Sequence, residues 1–195
     1  MRGDAATLRL AVLPRSDLVT ETMLVVCGAG LVAAAAQISV KLPFTPVPIT
    51  GQTFAVVAVG AALGSVRGVA SMLLYLWLGV AGAPIYAHHD HGWDAITSAS
   101  GGYIVGFVVA AAVTGLLAER RWDRRFSSAV GAMLTGNVVI YLVGLPWLAV
   151  VLHTNLEQTL EAGLYPFVPG DLFKLYVAGA ALPLAWRLVE RARRP

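Results

Sequence analysis

Long stretches without Asp, Glu, Lys or Arg dominate this chain. Residues 22–40, 42–66, 68–89, 95–118 and 126–156 contain none, and a sixth apolar stretch, 170–186, contains only Asp171 and Lys174. A membrane-crossing helix needs about 20 mostly apolar residues, and every stretch is near or beyond that length. Composition excludes the alternatives. Hydrophobic residues make up 57% of the chain and charged residues 13%, about half the roughly 25% charged share of a soluble domain. That is too little charge to cover a soluble fold and too much apolar surface for disorder. The single Cys27 excludes a disulfide scaffold and a multi-cysteine zinc site.

The expected fold is therefore an all-α integral membrane protein. Residues 1–195 form a single transmembrane domain of six helices, with 1–19 as a cytoplasmic N-terminal segment. Six helices of about 20 residues take up roughly 120 positions, so the connections are short. Prolines crowd the start of 42–66, and its helix is expected to begin near Thr50. The stretch 126–156 is too long for one straight span, and Gly144-Leu145-Pro146 is a candidate kink. The N-terminus mixes Arg2, Arg9 and Arg15 with Asp4 and Asp17 and lacks a clear cleavage site. The first apolar run reads as a retained helix rather than a signal peptide.

Lys and Arg placement sets orientation. With six spans, all twelve arginines fall on one side, while the other side holds Lys41 with Asp90, Asp94, Glu157 and Glu161. Both termini are expected to be cytoplasmic, in a multi-pass protein of a bacterial-type cell membrane. The net charge of +3 then reflects topology and contact with membrane lipid. Nucleic acid is not expected as a partner, because no basic-aromatic interleaving is present.

Ionisable residues inside a span are costly and usually functional or paired. Asp171 and Lys174 in Pro169-Gly170-Asp171-Leu172-Phe173-Lys174 lie three apart, on one helix face. Asp171 could simply cap a helix start, with Lys174 paired to it or snorkelling outward. Lys174 sits one turn into the span, which favours a polar anchor in a ligand pocket. Pro43, Pro46 and Pro48 stiffen the first outer loop into a pocket wall or lid. In the second outer loop, His88, His89, Asp90, His91 and Asp94 could suggest a metal, but their spacing is poor, and no metal site is expected. Asn137 and Tyr141 share a helix face, as pocket lining or interhelical glue. Ala29 and Ala33, with Gly30 and Ala34, offer close packing, either internal or to another membrane protein. A nucleophile elbow, a His-Glu-x-x-His helix and a Walker A loop are all missing. No enzymatic activity is expected, and active transport would draw energy from a partner or a gradient.

These segments resemble a known family. Leu42-Pro43-Phe44-Thr45-Pro46-Val47-Pro48-Ile49-Thr50 with Gln52-Thr53-Phe54, then Tyr75-Leu76-Trp77-Leu78-Gly79, Gly82-Ala83-Pro84-Ile85-Tyr86-Ala87, Ser100-Gly101-Gly102-Tyr103 and Pro169-Gly170-Asp171-x-x-Lys174 are similar to the BioY family, the biotin-binding S components of energy-coupling factor (ECF) transporters. The resemblance implies an S-component fold with a biotin pocket near the outer face. It also implies a transmembrane coupling protein and two cytoplasmic ATPases as partners. The chain itself would bind no cofactor, and ATP would be used by those ATPases. The expected biotin-binding residues are Asp171, Lys174, Tyr86, His88, Gln52, Phe44, Trp77, Asn137 and Tyr141, and the expected docking residues are Ala29 and Ala33. An S component for thiamine or riboflavin, a membrane assembly protein without a ligand, and a metal-using membrane enzyme are the competing readings.

Overall fold

The computed structural model describes residues 7–13 and 17–192. The expected N-terminal segment 1–19 and the terminal arginines Arg193 and Arg194 thus lie partly or wholly outside the described residues.

The helices are α1 (Leu8–Val12), α2 (Leu18–Gln37), α3 (Gln52–Leu63), α4 (Ser65–Val80), α5 (Gly92–Thr97), α6 (Gly101–Glu119), α7 (Phe126–Leu152), α8 (Leu156–Gly163) and α9 (Val168–Ala192). Strands β1 (Ser39–Val40) and β2 (Ile49–Thr50) pair antiparallel, with Ser39 opposite Thr50. Four helices, α2, α6, α7 and α9, are long and apolar enough to cross a membrane. The other two expected spans are shorter. α3 has 12 residues and α4 has 16, or roughly 18 and 24 Å at 1.5 Å per residue. The proline-rich half of the 42–66 stretch forms the β1–β2 ribbon instead of helix, since proline lacks the N–H a helix ladder needs.

Two further differences from the expected spans have local causes. The stretch 95–118 is not one helix: α5 ends at Thr97 and α6 starts at Gly101. The chain doubles back so tightly that a Cβ on Gly101 would lie 1.6 Å from the Ile96 carbonyl oxygen. The stretch 126–156 keeps one helix through Pro146 to Leu152, and α8 opens after it with a capping box of Asn155 and Gln158.

α6 forms the centre of the bundle and packs against α3, α4 and α7. Its buried residues include Gly106, Ala110, Ala111, Thr114, Gly115 and Ala118. Small side chains let backbones approach where no hydrophobic effect drives helices together. α2 is peripheral and buries only Gly28, Ala29, Val32 and Ala36. Asp17 caps α2, its Oδ1 accepting from the Thr20 N–H at 2.9 Å.

Polar contacts tie the helices together at one end of the bundle. Glu21 pairs with Arg9 and Arg67. Glu119 Oε1 accepts from the N–H and hydroxyl of Ser65, both at 2.8 Å, and so caps α4. Asp123 is fully buried there, its Oδ2 accepting from Trp186 Nε1 at 2.5 Å. The opposite end opens into a cavity.

Candidate ligand-binding site

The cavity measures about 540 Å³, within the usual range for small-molecule sites. Its floor is a cluster of four side chains from three helices. Lys174 Nζ donates to Asp171 Oδ1 at 3.0 Å and to Thr53 Oγ1 at 3.1 Å. The Thr53 hydroxyl also lies 3.4 Å from Asp171 Oδ1, and the Tyr141 hydroxyl donates to Asp171 Oδ2. Both charges are largely withdrawn from solvent, at 8% and 18% side-chain exposure for Asp171 and Lys174.

Asp171 is not a helix cap. α9 begins at Val168, and the Asp171 N–H already bonds the Phe167 carbonyl at 2.8 Å. Its carboxylate is spent on side chains of other turns and helices. An ionised carboxylate has about four lone-pair sites and an ammonium three donors. Three neighbours reach Asp171 and two acceptors engage Lys174, so each keeps one polar site for a ligand.

Aromatic and amide groups build the walls. Gln52 Nε2 donates to the Tyr75 hydroxyl at 2.7 Å, which donates to the Ile85 carbonyl at 3.3 Å. The Tyr86 ring stands edge-on to Tyr75 at 5.3 Å, and its hydroxyl donates to the Leu76 carbonyl at 2.6 Å. Tyr86 lies where a Cβ on Gly79 would approach its ring within 2.1 Å, so only glycine at that position leaves it room. Burial pushes the Tyr86 hydroxyl up to about 12. Tyr103 stands edge-on to Tyr141 at 6.2 Å and donates to the Gly163 carbonyl at 2.9 Å.

Loops form the mouth: Lys41 and Pro46 to Pro48 on one side, His88 to His91 on the other. His88 and His89 both adopt left-handed backbone, at φ 60° and 62°, a conformation that costs energy for non-glycine residues. Ser39 Oγ lies 3.2 Å from His88 Nδ1 and Gln37 Nε2 donates to the Tyr86 carbonyl at 3.1 Å, which ties this turn to the end of α2.

Of the expected binding residues, Asp171, Lys174, Tyr86, His88, Gln52 and Tyr141 line the cavity. Three do not. Phe44 is 65% exposed at the ribbon tip and Trp77 is 64% exposed on the outer face of α4. Asn137 is buried one turn from Tyr141, outside the lining. The expected docking residues also need correction. Ala29 is buried in the core at 3% exposure and Ala33 is half-buried against it, because this face of α2 turns toward α3 and α4. The outward small residues are Cys27, Gly30 and Ala34. Residues not expected at the site are Thr53, Tyr103, Ile104, Phe107, Ser98 and Phe167. Thr53 and Tyr103 were visible as polar groups at helix starts, but nothing in their spacing tied them to Asp171.

The chain shares its fold with a crystal structure of the S-component for biotin from an ECF-type ABC transporter. The TM-score is 0.75 at 21% identity, over 87% of this chain and 92% of that one. A biotin transporter BioY of Thermotoga maritima is 35% identical over 153 residues, covering 78% of this chain and 89% of the relative. A probable biotin transporter BioY of Pyrococcus horikoshii is 37% identical over 168 residues, covering 86% and 95%. These relatives place the chain among multi-pass membrane transporters rather than enzymes. The model of the BioY family matches residues 6–191, and the chain belongs to that family.

Proposed function

We propose that this chain binds biotin at the Asp171–Lys174 cavity and serves as the substrate-specific component of an ECF-type transporter. The observation that carries this reading is the buried acid–base cluster at the floor of an aromatic-walled cavity, in a chain whose relatives are biotin transporters. Biotin carries a ureido group with two N–H donors and one carbonyl acceptor, and a valerate tail ending in a carboxylate. Asp171 accepts a ureido N–H and Lys174 donates to the ureido oxygen, each through the polar site its neighbours leave open. Gln52, Tyr86 and Tyr141 surround the ring, and the carboxylate points to the mouth, near Lys41 and His88.

The arginine-rich end faces the cytoplasm under the lysine/arginine rule, which puts both termini there and the cavity outside. Energy comes from two cytoplasmic ATPases, through a transmembrane coupling protein that docks on α2. The docking face is the exposed Cys27–Gly30–Ala34 stripe, where small residues permit a close helix approach. Calorimetric titration of biotin into protein purified from biotin-free growth tests the central claim. Saturable one-to-one binding is expected. A folded, ligand-free sample that takes up no biotin would refute it.

A further inference from the structure

We infer that the arginine-rich end of the bundle carries a second, separate site that holds the phosphate of an anionic phospholipid. A cavity of about 640 Å³ lies there between the turn before α7 and the last turns of α9. Arg121, Arg124, Arg125 and Arg187 line it, against one acidic side chain, Glu190. Arg124 is already committed: its guanidinium stacks 3.4 Å above the Trp186 ring, and it faces Asp123 at 3.9 Å and Glu190 at 3.6 Å. Arg125 and Arg187 are exposed and make no ion pair among the described residues. Ser127 and Ser128 also line the cavity, in the first turn of the 27-residue α7, whose N-cap position provides no side-chain hydrogen bond. Backbone N–H groups of that turn therefore add to the arginines as anion donors.

The surroundings select a lipid over a soluble anion or an acidic protein. The cavity sits at the polar end of two membrane-length helices, α7 and α9. Beside it, Phe126, Leu184 and Leu188 are 46%, 55% and 56% exposed. A phosphate in the arginine cradle would leave its acyl chains along this apolar flank. Basic pockets between spans at a membrane surface bind anionic head groups in this way. A site built for a soluble phosphate would need no such flank.

The test is native mass spectrometry of the purified full chain in neutral detergent, titrated with phosphatidylglycerol or phosphatidylcholine. Phosphatidylglycerol is expected to be retained in preference. The Arg125→Ala/Arg187→Ala double variant should weaken it about thirtyfold, at about fivefold per arginine. The Arg125→Lys/Arg187→Lys variant keeps the charge and should stay within about fivefold of wild type, which separates a lost site from a lost fold. Arg191→Ala, outside the lining, should change nothing. Soluble glycerol phosphate should not compete. Equal retention of the two lipids would overturn the inference, as would wild-type binding by the double alanine variant. So would a loss as large in Arg191→Ala or in the lysine pair, or full competition by glycerol phosphate, which would make the cradle a free-anion site.

Discussion

Removing one charge of the Asp171–Lys174 pair should damage biotin binding more than removing both would suggest by addition. With 8% and 18% side-chain exposure, the pair is mostly desolvated. Truncating one member of a buried, hydrogen-bonded pair costs about 2–5 kcal/mol, much of it from stranding the other charge. The two members are not equally supported. In Lys174→Met, Asp171 keeps the hydroxyls of Thr53 and Tyr141, so the loss should fall at the lower end, about 2–3 kcal/mol or roughly 30- to 150-fold. In Asp171→Asn, Lys174 keeps the Thr53 oxygen and a neutral amide but no counter-charge, so the loss should fall at about 3–5 kcal/mol. The double variant strands nothing, and its loss should be smaller than the sum by at least about 1 kcal/mol. Calorimetric titration of biotin into the four proteins closes the cycle, with monodispersity as the check on folding. Wild-type affinity in either single variant would refute the assignment. A strictly additive double variant would refute the pairing.

Further perturbations read other parts of the site. Tyr141→Phe removes the donor to Asp171 Oδ2; a hydrogen bond to a charged group contributes about 1.5–3 kcal/mol to stability, and because this bond joins two groups of the protein, its loss should appear as a lower melting temperature in thermal unfolding. Lys41 and His88 are exposed at the mouth, where an ion pair is worth about 0–1 kcal/mol. Biotin amide should therefore compete nearly as well as biotin, and the reverse ranking would place the carboxylate on Lys174. Tyr86 is raised from 10.0 to about 12, chiefly by burial. The fold favours its neutral form, so its contribution to stability is complete below pH 10 and is lost as pH rises through about 12. Tyr86→Phe should flatten that alkaline loss in thermal unfolding. A Cβ on Gly30 meets nothing, whereas Ala29 is buried. Gly30→Leu should leave binding intact and reduce uptake with the coupling partners, while Ala29→Leu should lower the melting temperature. Normal uptake by Gly30→Leu would move the docking face off this stripe.

The sequence made the charged floor legible because two ionisable groups in an apolar segment have few inexpensive explanations. It could not assign faces. An aromatic ring in an apolar segment suits a pocket wall as well as a lipid face, and Trp77, expected inward, lies outward. The same ambiguity affected α2. Ala29/Ala33 and Gly30/Ala34 have identical spacing, and one residue is a rotation of about 100°. Only packing against α3 and α4 decides which pair is buried. Thr53 was hidden for another reason: a hydroxyl in a first helical turn reads as a local polar group until tertiary folding brings Lys174 and Asp171 to it.

The cavity combines a rigid interior with a loop-built mouth, and this division fits a binder that must first capture and later release its ligand. The inner hydroxyls and amides are held by partners outside the cavity lining: Gln52 by Tyr75, which is itself tied to Ile85, Tyr86 by Leu76, and Tyr103 by Gly163. Little rotamer freedom is left there to lose on binding, which favours affinity through preorganisation. The mouth is held by fewer ties. Its proline-rich side offers few backbone donors, and its histidine side stores strain at two left-handed residues. Thr45 anchors the ribbon to the Ala162 carbonyl of α8, and Gln37 and Ser39 anchor the histidine turn to α2 and β1. A shift of α2 against a partner would thus reach the histidine side of the mouth directly, without passing through the packed α6 core. This is a physical link from the proposed docking stripe on α2 to the cavity's opening.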